Sequence, residues 1–366
     1  MASEPGSGAS SSASRRKDDH LRLAAAQHEQ APARNDFDDV ELVHHALAAI
    51  DRDRVDLGVT FGPLSWPLPF YINGMTGGTE TTARVNRELA IAARECNVPM
   101  ASGSVGIALD DEATRPGFEV IRAENPDGFV MANIGAGRGA DDARRAVALL
   151  AADALQVHLN AVQETVMPEG SREFSTWLAT LEAVVAAVDV PVIVKEVGFG
   201  LSRRTLRELA GIGVRIADVA GSGGTDFARI ENDRRNAGEY AYLAGHGQST
   251  VCCLLDAPAD GPDLLGSGGV RTPLDVVRAL ALGARAVGVA GRFLRIALDG
   301  DAPALVDAFR GWTDQVAALL ALVGAPSPAD ARQVDLLVRG NVREFCQLRS
   351  IDAAALSRRS ERTDGR

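Results

Sequence analysis

The sequence predicts an α/β fold built on a (β/α)8 barrel, the TIM-barrel architecture, and two observations lead to it. Short apolar runs of β-type composition occur eight times, separated by stretches of helical periodicity. The fourth run also ends in polar residues and a loop, as strands do at the mouth of a parallel barrel. A chain of 366 residues, 46% of them hydrophobic, supplies apolar surface for one domain of barrel size with extensions.

The eight predicted strands define a barrel over residues 69–324. They cover residues 69–72, 98–101, 128–132, 154–159, 191–195, 214–219, 263–266 and 285–290. Helices are predicted between them, with clear periodicity over 81–96, 141–152, 174–188, 205–210 and 273–282. The longest gap, 220–263, is an insertion after the sixth strand, at the end of the barrel where such folds carry their chemistry.

Segments outside the barrel are predicted from composition and spacing. Residues 1–14 are small and polar and are expected to be disordered. Residues 15–68 form an arm and lead-in: a charged, Ala-rich helix that Pro32 ends, an apolar segment at helical spacing over 37–49, and a Gly/Pro-rich connection over 57–68. Residues 325–366 form a C-terminal extension with a frayed end, after an amphipathic helix over 302–322 and with a short element near 336–345.

Charge and cysteine content exclude several classes of protein. The formal net charge is -11, so binding to nucleic acid or to an anionic membrane is not expected, and an anionic ligand needs a local cationic site. The four cysteines form no Cys-x-x-Cys pair, which predicts a reduced, cytoplasmic protein without a zinc cluster. No apolar run approaches the roughly 18 residues of a membrane span.

The stretch 155–172 carries the first candidate site. Its period of two sends three polar side chains to the barrel interior, Gln156, His158 and Asn160. Gln163 and Glu164 follow in the next loop. A lone histidine is more often a satisfied core residue, but these neighbouring polar groups on one rim favour a site. Glu164 is suited to Mg²⁺, bound through one carboxylate and the phosphate oxygens of a ligand.

Glycine-rich loops after the seventh and eighth strands predict a phosphate site. They are Gly268-Gly269-Val270-Arg271 and Ala290-Gly291-Arg292, and their backbone N–H groups lie near helix starts. Turn glycines alone would be the simpler explanation, but barrels bind phosphate at this position. Lys195, at the end of the fifth strand, either extends to solvent or places a fixed positive charge beside a bound cofactor.

Several short motifs together resemble one family. They are Met75-Thr76-Gly77-Gly78, Ala132-Asn133-Ile134-Gly135, His158-Leu159-Asn160, Gln163-Glu164, Pro168-Glu169-Gly170, Lys195-Glu196-Val197-Gly198, Gly223-Gly224-Thr225 and Ser267-Gly268-Gly269-Val270-Arg271. They resemble the type 2 isopentenyl-diphosphate isomerases, FMN-dependent enzymes of the FMN-binding barrel superfamily. The resemblance runs in order from about residue 16 to about residue 324.

The resemblance implies roles for individual residues. It implies flavin contacts from Met75, Thr76, Gly77, Ser104, Asn133, Lys195, Thr225, Gly269, Arg271, Ala290 and Gly291. It implies substrate diphosphate recognition by Arg16, Lys17 and His20. It implies catalytic positions at His158, Asn160 and Gln163, with Gln163 also beside the isoprenoid carbons, and a Mg²⁺ ligand at Glu164.

The activity implied by the resemblance is the interconversion of isopentenyl and dimethylallyl diphosphate. The family is thought to use reduced FMN as acid and base without net redox change, with NADPH needed only to reduce the flavin. Lys195 would favour the anionic reduced flavin. We also expect a homo-oligomer, either a tetramer or an octamer, because barrels of this kind commonly assemble.

Two departures from the family keep other functions open. Ser104 is followed by Val105-Gly106 where the family usually has Gly-Ser-Gln-Arg, so a polar pair that helps hold substrate is absent, and His246-Gly247 stands where Trp-Gly is common. One alternative is an FMN-dependent oxidoreductase similar to 2-hydroxy-acid oxidases, which would need a His base and Arg residues after the sixth and seventh strands. Another is an isomerase-like protein that acts on, or only binds, another isoprenoid diphosphate.

Overall fold

The strands of the computed structural model form a closed barrel and two small sheets. The model describes residues 12–29, 34–75, 77–235 and 237–362. Its strands are β1 (Val40–Leu42), β2 (Val59–Phe61), β3 (Leu64–Trp66), β4 (Phe70–Ile72), β5 (Met100–Ala101), β6 (Val130–Gly135), β7 (Ala154–His158), β8 (Val192–Lys195), β9 (Ile216–Asp218), β10 (Asp263–Ser267), β11 (Ala286–Val289) and β12 (Leu336–Val338). Strands β4 to β11 run parallel in chain order, and β11 pairs with β4 to close the barrel.

Helices surround the barrel. They are α1 (Ser12–Glu29), α2 (Glu80–Cys96), α3 (Gly106–Asp110), α4 (Pro116–Glu124), α5 (Ala140–Leu150), α6 (Ala161–Val166), α7 (Trp177–Ala187), α8 (Arg203–Gly211), α9 (Phe227–Asp233), α10 (Thr250–Leu255), α11 (Pro273–Ala281), α12 (Gly291–Asp299), α13 (Ala302–Leu322), α14 (Gly340–Leu348) and α15 (Ala353–Leu356). The predicted barrel is confirmed, since each of β4 to β11 overlaps one of the eight predicted runs. None of the described helices combines the length and apolar character needed to cross a lipid bilayer.

The lead-in segment differs from its prediction. Residues 37–49 were expected to be helical, but they contain a short 3-10 helix, Asp36–Asp39, followed by β1. Strand β1 pairs antiparallel with β12, with Val40 opposite Val338, so the lead-in and the C-terminal extension share one sheet. The helical prediction is wrong because the apolar spacing reports only local neighbours, whereas the partner strand lies near the other end of the chain.

The connection over 57–68 contains a hairpin that closes the lower end of the barrel, which is the end where the barrel strands begin. Strands β2 and β3 pair around a turn in which Gly62 has a φ of 49°. Phe61 and Trp66 are buried with the inward-facing apolar residues of the barrel strands, Tyr71, Ala101, Met131, Ala154, Ile193, Ile216, Leu265 and Ala286. The lower barrel interior is therefore a packed apolar layer.

The N-terminal arm is the helix α1, which packs against α12, α9 and α2. It begins at Ser12, so its first turn lies inside the stretch expected to be a disordered tail. Residues 1–11 and Pro32 lie outside the described residues. At the other end of the chain, the predicted short element near 336–345 comprises β12 and α14, and the predicted helix over 302–322 is α13.

Replacing Trp66 with Ala is expected to lower the free energy of unfolding by about 3–5 kcal/mol, because a large side chain that is 1% exposed leaves a cavity behind. Denaturant unfolding measures the loss. The matched control is Leu47→Ala, since Leu47 is 100% exposed and its truncation removes no packing. Equal stability of the two variants would contradict the role of the hairpin.

Candidate active site

A cavity of about 1210 Å³ opens at the carboxyl ends of the barrel strands. Most predicted site residues line it: Arg16, Lys17, His20, Met75, Ser104, Asn133, His158, Asn160, Gln163, Glu164, Lys195, Thr225, Gly269, Arg271, Ala290 and Gly291. Gly77 does not line the cavity; a Cβ there would lie 2.0 Å from the Phe118 ring, so packing requires glycine. Thr76 lies outside the described residues.

The alternation of the barrel strands supplies the polar floor of this cavity. Above the apolar layer, the next inward-facing side chains are polar, among them Asn133, Gln156, Lys195, Asp218 and Ser267, all of them buried. Asn133 donates a hydrogen bond from Nδ2 to Gln156 Oε1 at 3.2 Å. Two residues further along each of these strands, the barrel interior thus changes from apolar to polar.

His158 is neutral in this environment. Burial, together with the nearby ammonium groups of Lys195 and Lys17, lowers the pKa of His158 to about 3. Its Nδ1 lies 2.8 Å from Asn133 Oδ1, which fixes the ring orientation. His158 therefore presents an uncharged imidazole to the cavity at physiological pH.

Helix α6, directly after β7, brings the other predicted polar residues together, so Gln163 and Glu164 lie on a helix and not in the predicted loop. Asn160 Nδ2 lies 3.3 Å from Gln163 Oε1 and 3.0 Å from Glu164 Oε1. Glu164 Oε2 accepts a hydrogen bond from the backbone N–H of Ser171 at 2.7 Å. Among the described residues, no group of three or more His, Cys, Asp or Glu side chains could hold a metal ion. A cation at Glu164 would therefore need oxygen ligands from a bound molecule or water.

A buried carboxylate, Glu231 on α9, connects the arm to Gln163 on α6. Its side chain is 0% exposed, and Oε1 lies 2.8 Å from His20 Nε2 and accepts a hydrogen bond from Gln163 Nε2 at 2.9 Å. Arg234 binds the other oxygen. Burial raises the pKa of Glu231, but the hydrogen bonds from His20, Gln163 and Arg234 outweigh burial and keep the pKa below its ordinary value.

The arm places two cations in the cavity. Burial, and secondarily the neighbouring Arg16, lower the pKa of Lys17 to about 8, while Glu231 opposes the shift. Arg16 lies 3.7 Å from Glu169. Further along α1, the Gln27 side chain exchanges two hydrogen bonds with the backbone of Asp226, at 3.2 and 2.9 Å. These contacts hold α1 against the insertion that follows β9.

The glycine-rich loops after β9 and β10 lie against each other. A Cβ at Gly224 would lie 2.7 Å from the backbone N of Gly269, which has a φ of 76°. Backbone groups of these glycines therefore line the cavity. Arg271 is held by Asp38 at 2.8 and 2.7 Å and by Asp275 at 3.1 Å. The Arg271 guanidinium holds the pKa of Asp38 at about 2.

The structure shows the surroundings of both departures from the family pattern, Val105-Gly106 and His246-Gly247. A Cβ at Gly106 would lie 2.9 Å from Nε of Arg138, so the guanidinium of Arg138, from the loop after β6, fills the space beside Gly106. Arg138 also lines the cavity and pairs with Asp110 and Asp142. His246 is exposed and its side chain is not among those lining the cavity.

Glu231, Arg234, Asp218 and Arg138 are site residues that the sequence analysis missed. Glu231 and Arg234 lie in the charged run of the long insertion, where a spacing of three residues on a helix could have suggested a pair. Asp218 has the same position at the end of its strand as His158 has on β7, and the period of two could have identified it. Nothing local marks Arg138.

Comparison with known proteins defines the class. Residues 130–337 match the family model described as FMN-dependent dehydrogenase. Solved structures of mandelate oxidase with (S)-2-phenylpropionate and with 3,3-difluoro-2-hydroxy-3-phenylpropionic acid share the fold, with TM-scores of 0.59 and 0.60 and identities of 20% and 19%. The first alignment covers 87% of this chain and 90% of the other, and the second covers 88% and 91%. The chain is thus an FMN-dependent barrel enzyme.

Closer relatives define the family. The chain is 56% identical to isopentenyl-diphosphate delta-isomerase of Kitasatospora griseola, over 96% of this chain and 97% of that protein. It is 55% identical to the enzyme of the same name from Nocardia farcinica, over 95% and 96%, and 43% identical to that from Latilactobacillus sakei, over 92% and 97%. The chain belongs to the isopentenyl-diphosphate delta-isomerase family and is an isomerase.

Glu231→Ala is expected to lower the free energy of unfolding by about 3–5 kcal/mol, because it leaves buried partners without their carboxylate. Trypsin should also cleave the variant faster at Arg22 on α1, since the variant loses the Glu231 contact to His20. The control is Glu239→Ala in the same insertion, which removes an exposed partner of Arg235 and should change neither result. An arm equally protected in both variants would contradict the coupling.

Proposed function

We propose that the protein interconverts isopentenyl and dimethylallyl diphosphate, with reduced FMN as acid and base and Mg²⁺ on the diphosphate. The observation that carries the proposal is the arrangement of Gln163, which lies between Glu231 and the Asn160–Glu164 pair on the barrel rim. Moving a double bond requires one proton added and another removed at unactivated carbons, and this rim combines an ordered amide, a neutral imidazole and a carboxylate. Relatives of the same family name support the assignment.

The residues present fit FMN. The close approach of Gly224 to Gly269 offers a backbone surface to a phosphate, and α11 and α12 begin directly after the loops that line the cavity. Met75, Ser104, Asn133, Thr225, Ala290 and Gly291 would contact the cofactor, as would Arg271, and Lys195 would lie at its ring. Reduced FMN, when bound, would supply a proton donor and acceptor for the reaction.

The protein's own groups would bind and orient the substrate. Arg16 and Lys17 would hold the diphosphate, with His20 and His158 nearby, and Glu164 would hold Mg²⁺ with phosphate oxygens. The Gln163 amide is oriented by Glu231, so it would be positioned beside the isoprenoid carbons before substrate arrives. The arm across the cavity would exclude water from the reacting carbons.

Further proposals concern the setting of the enzyme. We propose NADPH as the reductant, a homo-oligomer of four or eight chains, and a cytoplasmic location. The division into an arm and lead-in, a barrel over 69–324 and a C-terminal extension likewise remains a proposal. The oxidase alternative has less support, because the likeness to mandelate oxidase concerns the fold alone and His246 lies away from the cavity.

The function is tested by anaerobic incubation with isopentenyl diphosphate, FMN, Mg²⁺ and NADPH in D2O. NMR should show dimethylallyl diphosphate and deuterium uptake, both dependent on reduced flavin. Flavin that binds and is reduced without product or exchange would refute the isomerase and favour the binding or oxidoreductase alternatives.

Glu164→Gln is expected to lower kcat/KM by about a hundredfold or more, because the amide is a poor Mg²⁺ ligand, while FMN affinity is unchanged. Activity is measured across a Mg²⁺ titration in the same NMR assay. The control, Glu182→Gln, changes an exposed carboxylate on α7 and should behave as the wild type. Undiminished turnover in Glu164→Gln would remove the metal role.

Substrate binding is expected to weaken as pH rises through about 8, the pKa of Lys17, because the ammonium is charged below that pKa and neutral above it. KM should rise about tenfold between pH 7 and pH 9.5, the equivalent of one charge-assisted hydrogen bond. In Lys17→Arg the rise should disappear, because the guanidinium stays charged. The same pH profile in both proteins would assign the titration to another group.

A further inference from the structure

Lysine is confined to the cavity. The chain has 38 basic residues, and Lys17 and Lys195 are its only lysines. Both line the cavity, whereas every other basic position that counts toward the formal charge is arginine. A lysine differs from arginine in being a compact point charge that can lose its proton when buried. Lys17 and Lys195 are therefore the only side-chain amines of the chain, and amine chemistry can follow each of them.

Asp218, at the end of β9, is a buried anion under the cavity. It is 0% exposed, and its hydrogen-bond donors within the described chain are all neutral groups. The Tyr71 hydroxyl donates at 2.6 Å, the Ser267 hydroxyl lies 2.8 Å from both oxygens, Asn73 Nδ2 lies at 3.3 Å, and the Ala220 N–H donates at 3.1 Å. Neutral donors satisfy the oxygens without cancelling the charge.

The cation opposite Asp218 is Lys195. The two residues are register partners on the neighbouring strands β8 and β9, and both side chains point into the barrel. The Lys195 ammonium donates to the carbonyl oxygen of Glu196 at 2.6 Å, so the backbone after β8 fixes the position of the ammonium group. Each buried charge thus has the other across one strand pair.

The balance of charges around Lys195 shows what Asp218 contributes. Burial lowers the pKa of Lys195, and the carboxylates of Asp218 and then Glu196 oppose that shift. His158 also faces Lys195, but it is neutral, and Tyr71 stays protonated because burial and Asp218 raise its pKa. Without Asp218, only Glu196 would oppose the loss of the Lys195 proton.

We propose that Asp218 is a positioning residue for Lys195, holding a charged ammonium at the floor of the cavity before any ligand binds. A site with a fixed cation does not need to take up a proton when negative charge develops above it. This deepens the proposed function, since the ligand that gains negative charge there would be the flavin, but the ammonium itself can be tested without it.

The first test uses flavin-free protein and compares the reactivity of Lys17 and Lys195 within the same molecule. Reductive methylation with formaldehyde at several pH values between 7 and 9, followed by peptide mass spectrometry, reports each free amine. In the wild type, Lys17, whose pKa is about 8, should react at lower pH than Lys195, which Asp218 keeps charged. In Asp218→Asn, the reaction of Lys195 should shift to lower pH and be about tenfold faster for each unit by which the pKa falls.

Asp263→Asn is the matched control. Asp263 begins β10 at the opposite end of the barrel, where it pairs with Arg285, so this variant removes the same charge far from Lys195. Its Lys195 profile should equal that of the wild type. Ser267→Ala removes one donor but keeps the Asp218 charge, and it should also leave the Lys195 profile unshifted.

The second test uses the flavin-loaded protein and the midpoint potential of FMN across the same pH range. If Lys195 is charged in the wild type and loses its proton in Asp218→Asn, reduction of the flavin in the variant should take up one additional proton. The midpoint potential of FMN in the variant should then fall more steeply as the pH rises. A merely structural Asp218 would change stability and leave that slope unaltered.

Two outcomes overturn the proposal. The first is methylation of wild-type Lys195 as readily as Lys17. This comparison can be made even if the Asp218→Asn protein does not fold. The other is an Asp218→Asn protein whose Lys195 profile is unshifted. If the methylation result holds while the D2O experiment shows no isomerisation, the proposed function fails and the role of Asp218 stands.

Discussion

Closure of the parallel barrel is the constraint on which the site depends. Eight strands hydrogen-bonded in one ring send all their carboxyl ends to the same rim, and a period of two sends alternate side chains inward. The lower inward layer is apolar and rests on Trp66 of the hairpin, and the upper one is polar. The packed apolar layer surrounds the buried Lys195 and Asp218 with a medium of low dielectric constant, which strengthens the interaction between their charges.

A second layer of organisation comes from outside the barrel. The arm, the insertion after β9 and helix α6 meet at Glu231, which touches His20, Gln163 and Arg234. Burying a carboxylate is costly unless its oxygens are fully hydrogen-bonded, so each partner depends on the others being in place. One carboxylate thereby couples the position of the arm to the position of α6.

The sequence predicts those features that are encoded by neighbours along the chain. The eight strands, the inward side chains of β7 and the glycine-rich loops follow from local periodicity and turn chemistry. Features made by distant partners were wrong or missed. The apolar spacing of 37–49 fits a helix, and only the pairing with β12 makes part of it a strand. The role of the Glu231 carboxylate depends on its contact with Gln163. Arg138 occupies its position because Gly106 leaves room for the guanidinium group.

The pairing of β1 with β12 bears on how the molecule is made. Val40 is synthesised before the barrel strands and its partner Val338 after them, so this ladder can close only once the whole barrel has been synthesised. Asp38, which immediately precedes β1, binds Arg271 on the cavity rim. The barrel can assemble strand by strand during synthesis, whereas the rim acquires this support last. A nascent or truncated chain would therefore hold a formed barrel with an unfinished mouth.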